Sequence, residues 1–397
     1  MDNQSLVGEL ARFNTLKQLY ASEFFAVHKD ELHAILYTPQ ISVSDYVKPR
    51  IHDFLRVAHW NIERGNNFDG VLHYLQTIPR LATADVVFLN ELDVGMVRTG
   101  NRHVANDLAA VLGYHAIYFP EYIEITKGIG DELNLPGENT AALHGNAIFS
   151  RYPISNPRVM DLPVCFEHYE FQEKRYGRRI AIIADVDFNG SNVTVVATHL
   201  EVRNTPSCRA RQMRAILDGL KEWNIRDPIV LAGDFNSNCF ARGTRLRTVR
   251  GGWWLLRSDP EFIKHRLRHP DEGSEPLFDV LKQRGFDYKD FNTDDHTARV
   301  PIKMVEEIDR FPASIQRWIH NELADYNHEL LMRLDWICGR GVRSLKDREI
   351  VDSISGIASE APRTFRGLYY EDRRASDHAA IAADIVLGAT MLNQRSK

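Results

Sequence analysis

The chain has 397 residues, of which 44% are hydrophobic and 26% are charged, and its formal net charge at pH 7 is −5. This composition is typical of a soluble globular protein and excludes a disordered or collagen-like chain. The acidic balance disfavours non-specific binding to nucleic acid, which usually requires a basic surface, although a local basic patch is compatible with it. Length alone predicts about two to three domains.

The cysteines are scattered and form neither a Cys-x-x-Cys pair nor a Cys/His cluster with zinc spacing. They are Cys165, Cys208, Cys239 and Cys338. We expect free thiols in a reducing compartment. The N-terminus carries Asp2 and Glu9 and lacks the apolar core of a secretory signal. No segment reaches the roughly 20 apolar residues of a membrane-spanning helix, so a cytoplasmic location is predicted.

The predicted elements begin with helix over residues 5–37, where apolar residues recur at three- and four-residue steps. Residues 1–50 are therefore expected to form a helical appendage on the main domain. Beyond it, short apolar runs alternate with helical patterns, and several strands follow one another directly, which predicts an α/β fold with mixed sheets. Strands are predicted over 54–59, 85–89, 115–119, 147–150, 179–188, 193–198, 229–232, 333–338 and 379–385, and helices over 70–81, 104–112 and 209–223.

Residues 238–333 interrupt this pattern and predict an insertion at about 240–330. The segment opens with a basic run, Arg242–Arg250, followed by Trp253 and Trp254, and later shows an amphipathic helical pattern over 302–326. The basic and aromatic start could hold single-stranded nucleic acid, touch a membrane surface transiently, or be a surface loop returning to the core. His296 is a further candidate ligand or part of a polar turn.

Polar residues gather at the ends of six predicted strands. In layered α/β proteins such positions collect functional groups, whereas one acid after a strand is equally well explained by a turn. Six sites with matching chemistry favour a functional site. The residues are Asn61, Glu63, Glu91, His199, Asp234, Asn236, Asp335, Asp377 and His378.

The residue types predict two roles. Glu91, Asp377 and the amide oxygen of Asn61, with Glu63 completing the set, are hard oxygen ligands that suit Mg²⁺ or Mn²⁺.

The remaining polar residues suit phosphoryl transfer, which needs positioning and charge neutralisation. Asp234 could orient or deprotonate an attacking water, with Asn236 as its partner. His199 and His378 could donate hydrogen bonds to phosphate oxygens. Asp335 would favour the imidazolium form of His378.

The ordered motifs WNIERG, FLNELD, HGNAIFSRYPI, VVATHLE, LAGDFNS, RLDWI and ASDH resemble the endonuclease/exonuclease/phosphatase superfamily over about residues 55–386. This resemblance implies a DNase I-like fold, a two-layer β-sandwich of mixed sheets flanked by helices, with the active site at one edge. It also implies that residues 51–390 form one catalytic domain. The implied roles agree with those above: Asn61 and Glu91 on the metal, Asp234 and Asn236 on the water, Asp335 paired with His378, and Asp377 beside it.

The resemblance also bears on the substrate. His199 matches a histidine of the DNase I, sphingomyelinase and inositol-polyphosphate 5-phosphatase branches, which the abasic-endonuclease branch lacks. Asp93 stands where DNA-repair members carry a lysine, and an acid there does not suit a DNA backbone. The prediction is a Mg²⁺- or Mn²⁺-dependent phosphoesterase acting on a small-molecule or lipid-like ester, with no obligate protein partner. A nuclease ranks second, and a non-catalytic binding module that retains the fold ranks third.

Four further residues are candidates for substrate contact. Arg98 and Asn101 follow the metal-side acid and could bind a headgroup, or form a solvated loop that enters a helix. Asn146 stands at a position that often faces the site in relatives. Arg179 is the best candidate among the arginines before the strand at 179–188, which could also be a solvated strand end.

Overall fold

The computed structural model describes residues 2–44, 48–242, 257–301 and 329–388, with isolated residues between 244 and 326. The predicted helix over 302–326 and much of the basic run near Arg245 lie outside the described residues.

Three short helices form the N-terminal region where the sequence predicts one continuous helix. Thr15 and Ser22 accept hydrogen bonds from the backbone N–H groups of Gln18 and Phe25, so each begins a new helix. The helices of the described chain are α1 (Asn3–Ala11), α2 (Leu16–Tyr20), α3 (Glu23–Tyr37), α4 (Phe68–Thr77), α5 (Pro79–Ala82), α6 (Val104–Leu112), α7 (Pro206–Glu222), α8 (Pro260–Arg268) and α9 (Leu277–Gln283).

The described strands build two mixed sheets and two two-stranded antiparallel sheets. They are β1 (Gln40–Ser42), β2 (Leu55–Arg64), β3 (Val86–Val94), β4 (His115–Glu124), β5 (Leu143–Ser150), β6 (Ile154–Asp161), β7 (Arg175–Gly177), β8 (Ile180–Phe188), β9 (Ser191–His199), β10 (Ile229–Asp234), β11 (Ala298–Pro301), β12 (Glu329–Met332), β13 (Asp335–Arg340), β14 (Val342–Ser344), β15 (Arg363–Phe365), β16 (Tyr369–Tyr370), β17 (Arg373–Arg374) and β18 (Ala380–Leu387). The larger sheet runs β1-β4-β5-β3-β2-β18-β14, with β7 beside β4 and β15 beside β18. The smaller sheet runs β13-β10-β9-β8-β6.

The two sheets pack face to face through alternate apolar side chains. Phe88 and Ile148 of the larger sheet share one core with Ile182, Val195 and Ile337 of the smaller sheet. Helices α1–α4 and α6 cover the outer face of the larger sheet, and α7 and α9 cover that of the smaller sheet. Because each sheet is buried on both faces, the sequences of its central strands are nearly continuous apolar runs. The predicted sandwich of mixed sheets flanked by helices is confirmed.

The strand directions bring chemistry to one edge. β2 and β3 run parallel in the larger sheet, and β9 and β10 run parallel in the smaller sheet, so their carboxyl ends lie at the same side of each sheet. β18 and β13 are antiparallel to their neighbours and begin at that side. Residues near the carboxyl ends of β2, β3, β9 and β10 therefore meet residues near the beginnings of β13 and β18.

A buried ion pair joins the two strands that carry this edge. Asp384, which interrupts the apolar β18, lies opposite Arg56 of β2 in the sheet register. The guanidinium donates from Nε and Nη2 to the two carboxylate oxygens of Asp384 at 2.8 and 2.7 Å, and both side chains are buried. The apolar run therefore tolerates an acid because its charge is paired in bidentate geometry.

Cys165 and Cys208 form a disulfide, so the prediction of four free thiols is wrong for this pair. The sequence spacing gave no sign of it, because the fold brings together residues 43 apart in the chain. Cys239 and Cys338 are free and buried. The cellular compartment stays a prediction. Among the described helices, none has the length and apolar character needed to cross a bilayer.

Replacing Asp384 with leucine leaves the Arg56 charge buried without its bidentate partner. We expect the free energy of unfolding, measured by urea denaturation, to fall by about 3–5 kcal/mol. The double variant Arg56→Met/Asp384→Leu buries no unpaired charge and is expected to be more stable than Asp384→Leu alone. Additive losses in this double-mutant cycle would contradict the stated coupling of the two side chains.

Candidate active site

The polar residues predicted from the strand ends converge at this edge of the sandwich. They surround a cavity of about 260 Å³, called the cleft below. Six predicted residues line it: Glu91, His199, Asp234, Asn236, Asp377 and His378. Asp335 lies directly behind His378, and Asn61 lies behind Glu91 and Asp234.

Unusual backbone conformations direct several of these side chains. Glu63, Glu91 and Asn236 have φ angles of 48°, 57° and 49°, in the left-handed region that non-glycine residues rarely adopt. The pairing of β2 with β3 is irregular between Asn61 and Arg64, and the pairing of β3 with β5 is irregular just after Leu89. Such irregularities re-aim a side chain at the end of a strand. The local backbone conformation therefore helps to direct these side chains toward the site.

Asp335 is fully buried between two histidines. Its Oδ2 lies 2.7 Å from Nδ1 of His378, and its Oδ1 lies 2.8 Å from Nε2 of His59. Burial opposes the charged imidazole, but the carboxylates of Asp335, Asp377 and Asp234 together raise the pKa of His378 well above its usual value. His378 is therefore an imidazolium at neutral pH, with Nδ1 held by Asp335 and Nε2 facing Asp234.

His59 was not expected in this arrangement. It stands in β2 two residues before Asn61 and therefore on the same face of the strand, and this alternation is the signal that could have found it. Its ring is fully buried.

Asp234 lies at the centre of the converging side chains. Its Oδ2 accepts a hydrogen bond from Nδ2 of Asn61 at 3.1 Å, and lies 3.5 Å from Nε2 of His199 and 3.8 Å from Nε2 of His378. Its Oδ1 accepts a hydrogen bond from the backbone N–H of Asn236 at 2.8 Å. Hydrogen bonds from one side chain and one backbone group thus orient this carboxylate, with two imidazole rings close to it.

Burial and the neighbouring charge of Asp335 raise the pKa of Asp234 to about 7. A carboxylate with a pKa near neutral can exchange a proton with water under physiological conditions. Burial and the nearby charge of Arg179 lower the pKa of the His199 imidazole well below its usual value, so this ring is neutral. The two histidines beside Asp234 therefore differ in charge.

Three acids form the metal-side cluster. Burial and the charges of Asp377 and Glu91 raise the pKa of Glu63 to about 7, and burial together with Glu91 raises the pKa of Asp377. Such mutual repulsion between buried carboxylates is relieved by a cation, and these oxygen donors suit Mg²⁺ or Mn²⁺. The donor set therefore fits a divalent metal.

Asn61 is oriented differently from the prediction. Its amide nitrogen, rather than its oxygen, faces the acids and donates to Glu91 Oε1 and Asp234 Oδ2 at 3.1 Å each, while its oxygen accepts from the N–H of Glu63. The amide bridges the metal-side cluster and Asp234 in this arrangement.

A second group of candidate metal donors lies on the other side of Asp234. Single donor atoms of Asp234, Asp335 and His378 lie within 4.8 Å of one another. Both oxygens of Asp335 are already occupied by histidines, and a protonated His378 repels a cation. This triad therefore suits a cation less well than the oxygen donors of the metal-side cluster do.

Asn146 lies behind the site rather than in it. Its Oδ1 accepts hydrogen bonds from Nδ2 of Asn90 at 2.8 Å and from the N–H of Glu91 at 3.3 Å, and its side chain is fully buried. Asn90 in turn accepts from the N–H of Asp234 at 2.8 Å. This pair of amides positions Glu91 and Asp234 relative to each other, which differs from the predicted contact with substrate.

Arg98, a predicted substrate ligand, is instead enclosed in an ion-pair network. Its guanidinium donates to Asp93 at 2.7 and 3.0 Å and to Glu173 at 2.7 Å, and lies 3.4 Å from Glu124. Its side chain is 1% exposed and does not line the cleft. The network assembles residues that are distant in the sequence, so no local pattern signals it.

The ion pair between Arg98 and Asp93 also changes the expectation that Asp93 disfavours a DNA backbone. Asp93 is fully buried and is bound by both Arg98 and His144, whose Nδ1 lies 2.9 Å from Asp93 Oδ1. Because Arg98 and His144 compensate its charge, Asp93 does not disfavour the binding of DNA in the cleft.

Asn101 also lies away from the cleft. Its Nδ2 donates to the carbonyl oxygen of Glu138 at 3.0 Å, and its Oδ1 accepts from the N–H of Thr140 at 3.1 Å. It therefore joins two loops, as expected for an asparagine with a positive φ angle.

Arg179 does line the cleft. Its Nη1 donates to Glu121 Oε2 at 2.8 Å, and its Nε is buried with no hydrogen-bond partner. Asn238, two residues beyond Asn236 and not predicted, also lines the cleft with a buried, unpartnered Nδ2. These two groups offer donors to a ligand in the cleft. The sequence signal for Asn238 was its place in the same loop as Asn236.

His296 lies in a separate small cavity of about 110 Å³ that adjoins Asp377 and His378. It is not a member of the cleft. Arg242, the first arginine of the basic run, lines the cleft, whereas Trp253 is 55% exposed. The described start of the predicted insertion thus contributes a basic side chain to the site.

Replacing Asp335 with asparagine should lower the pKa of His378 by about 1–3 pH units, because it removes the nearest negative charge. Titration of the histidine ring signals by NMR measures this shift in the variant and in the parent protein. An unchanged His378 titration in the folded variant would contradict the inferred role of Asp335.

Comparison with known proteins agrees with the motif order. Residues 58–378 match the Endonuclease/Exonuclease/phosphatase family. No curated protein sequence matches the chain.

Solved structures similar to this one include three with low sequence identity. An endonuclease/exonuclease/phosphatase from Beutenbergia cavernae is 18% identical, with 85% of this chain and 72% of that chain covered and a TM-score of 0.47. The human Nocturnin catalytic domain is 15% identical, with coverages of 88% and 97% and a TM-score of 0.45. The mannosyl-6-phosphatase of Bacteroides thetaiotaomicron is 13% identical, with coverages of 84% and 100% and a TM-score of 0.45. Because the family match spans most of the sequence, this chain belongs to the endonuclease/exonuclease/phosphatase family.

Proposed function

We propose that this protein is a divalent-metal-dependent phosphoesterase that hydrolyses a phosphodiester or phosphomonoester by in-line attack of water. The observation that carries the proposal is the position of Asp234. This buried carboxylate, with a pKa of about 7, stands between an imidazolium held by Asp335 and a cluster of acids suited to a metal. The proton acceptor Asp234, the positively charged His378 and the acids suited to a metal therefore face one cavity.

In the proposed reaction, Asp234 orients a water molecule and accepts one of its protons as the water oxygen bonds to phosphorus. The P–O bond opposite the attacking oxygen breaks. The organic group leaves with that oxygen and takes a proton from solvent, so one alcohol and one phosphate product form. Asn236 supports this step because its backbone N–H fixes the Asp234 carboxylate.

His378 and His199 act on the phosphate oxygens in different ways. The imidazolium of His378 supplies a positive charge and an N–H, while the neutral ring of His199 supplies a hydrogen bond without charge. Arg179 adds a buried donor from the opposite wall. These groups are fixed before substrate binds, which reduces the reorganisation needed as charge builds on the phosphate.

Glu91 and Asp377 would hold the metal, with Glu63 beside them. Bound there, Mg²⁺ or Mn²⁺ would neutralise charge on the phosphate. Asn61 links this metal-side cluster to Asp234 through its amide nitrogen.

We propose a small-molecule or lipid-like ester as the substrate. The cleft has a volume of only about 260 Å³, and Phe171, Val202, Met332 and Leu334 in its lining suit an organic group. A nuclease remains the second candidate, because arginines including Arg64, Arg203 and Arg242 also line the cleft and suit a nucleic-acid backbone. A purely binding module would not require a neutral-pKa carboxylate beside a fixed imidazolium.

Replacing Asp234 with asparagine keeps the size of the side chain but removes the proton acceptor. We expect kcat to fall about 10²–10⁴-fold with the fold intact. Asp279→Asn, an exposed acid on α9, is the matched control and should keep full activity. Wild-type turnover by Asp234→Asn on every ester that the parent cleaves would sink the proposal.

Removal of divalent metal with EDTA should abolish hydrolysis, and added Mg²⁺ or Mn²⁺ should restore it. A panel of bis(p-nitrophenyl) phosphate, p-nitrophenyl phosphate, phospholipid and plasmid DNA then ranks the substrates. Full activity in chelator would refute the metal assignment. Plasmid nicking at trace enzyme concentration, with no turnover of the other esters, would favour the nuclease.

A further inference from the structure

His59 is a buried titratable side chain beside the site to which the proposed reaction gives no role. Its ring is fully buried on the face of β2 that points toward the smaller sheet. Its neighbours on that face are Val57 along β2, Phe88 in register on β3 and Ile381 in register on β18, and all three belong to the apolar core between the sheets. An imidazole therefore occupies a position that suits an aliphatic side chain.

The polar contacts of the His59 ring are few. Its Nε2 donates a hydrogen bond to Oδ1 of Asp335 at 2.8 Å, because the carboxylate oxygen can only accept. Its Nδ1 is buried and has no hydrogen-bond partner among the described residues. An unpartnered buried nitrogen costs free energy, so the ring is a poor choice for stabilising the core. What the histidine provides there is the contact with Asp335.

This contact crosses the sandwich, because β2 belongs to the larger sheet and β13 to the smaller sheet. The main chain of Asp335 is fixed by its pairing opposite Asp234 and by its N–H, which donates to Thr297 Oγ1 at 3.0 Å. The side-chain torsions of Asp335 are then restrained by the two histidines, each of which binds one carboxylate oxygen. Loss of either histidine would leave the carboxylate free to rotate.

The orientation of His378 follows that of Asp335. Within the described part of the chain, Asp335 Oδ2 supplies the hydrogen bond to the His378 ring, at 2.7 Å from Nδ1. Its Nε2 lies 3.8 Å from Asp234 Oδ2, which is too far for a hydrogen bond. A rotation of the carboxylate would therefore move the imidazolium. Electrostatic stabilisation of a reacting phosphate depends on groups that are fixed in advance.

We propose that His59 is a positioning residue for the reaction: it holds the Asp335 carboxylate so that Oδ2 keeps the His378 imidazolium directed at the phosphate. This inference rests on the proposed function, because His378 is taken to act on the phosphate. His59 itself does not line the cleft and touches no reacting atom. Its effect is transmitted through Asp335 alone.

Variants at position 59 test the inference on the metal-loaded full chain, with the ester of the panel that the parent cleaves fastest. His59→Leu and His59→Met both remove the donor and keep an apolar side chain, whereas His59→Gln keeps an N–H at about the reach of Nε2. We expect kcat of the donor-free variants to fall about 10–100-fold, as is typical for loss of an outer partner that orients a site residue. KM should stay within about twofold of the parent value, because the imidazolium acts on charge that builds in the transition state. His59→Gln should recover most of kcat, and parental kcat in a folded donor-free variant would overturn the inference.

A matched control and a double-variant cycle separate positioning from packing. Phe88→Leu removes a buried ring in register with His59 but no hydrogen bond, so it should keep the parental kcat. In the Asp335→Ala background, His59→Leu should cause no further loss of kcat, because a residue that acts through another has no effect once that residue is gone. Independent, multiplicative losses would contradict transmission through Asp335.

Proton NMR gives a readout that does not require activity. The proton between His378 Nδ1 and Asp335 lies in a short, charge-assisted hydrogen bond and should give a far-downfield signal, assigned by its absence from Asp335→Ala. We expect this signal to be lost to exchange in His59→Leu and His59→Met, and to persist in His59→Gln and Phe88→Leu. An unchanged signal in the donor-free variants would show that His59 does not hold this pair.

The outcomes distinguish this inference from the proposed function. If the parent cleaves a phosphoester while the donor-free variants keep both the signal and kcat, His59 has no positioning role and the phosphoesterase stands. If the signal depends on His59 but the parent cleaves no phosphoester, His59 positions the Asp335–His378 pair and the proposed function fails.

Discussion

The burial of several carboxylates at one edge of the sandwich is the constraint on which the site depends. Buried acids are costly unless other charges or hydrogen bonds compensate them. Asp335 is compensated by two histidines, and Glu91 by the charges of His144 and Arg64 together with Asn61. Asp377 and Glu63 keep raised pKa values because compensation there is incomplete. This surplus of acid is the electrostatic reason that the edge suits a cation.

The fold holds these groups in place through elements far from the chemistry. The apolar core between the sheets sets the separation of β2 and β3 from β9 and β10. The Arg56–Asp384 pair fastens β2 to β18, the two strands that carry Asn61 and lead away from His378. Asn90 and Asn146 then connect Glu91 with Asp234 across the two sheets. Each catalytic candidate is therefore supported by a partner on another strand.

The N-terminal helices pack against the larger sheet. Leu6, Leu32 and Leu36 pack into the apolar layer that covers the larger sheet. The Cys165–Cys208 disulfide joins the loop after β6 to α7, and Lys174 Nζ donates to the carbonyl oxygen of Ala11 at the end of α1. Long-range contacts therefore hold this part of the molecule together.

The site arginines show why substrate contacts were harder to predict than catalytic groups. Arg98 and Arg179 both stand in local patterns that suit phosphate binding. Arg98, however, forms ion pairs with Asp93, Glu124 and Glu173. Arg179 meets only Glu121 at hydrogen-bond distance, while its Nε lies 3.8 Å from Glu201. The number of acids that reach an arginine is a property of the fold, since acids such as Glu124 and Glu173 are distant from Arg98 in the sequence.

The sequence by itself determined the positions of the central strands along the chain, the mixed α/β class and the polar residues near the strand ends. These follow from local periodicity and from residue types that stand directly beside apolar runs. Only the tertiary structure decided the partners: His59 on Asp335, Arg98 on Glu173, Cys165 on Cys208, and the orientation of the Asn61 amide. Pairing energies depend on distance and burial, and residues far apart in the chain acquire both only when the two sheets and their helices are assembled.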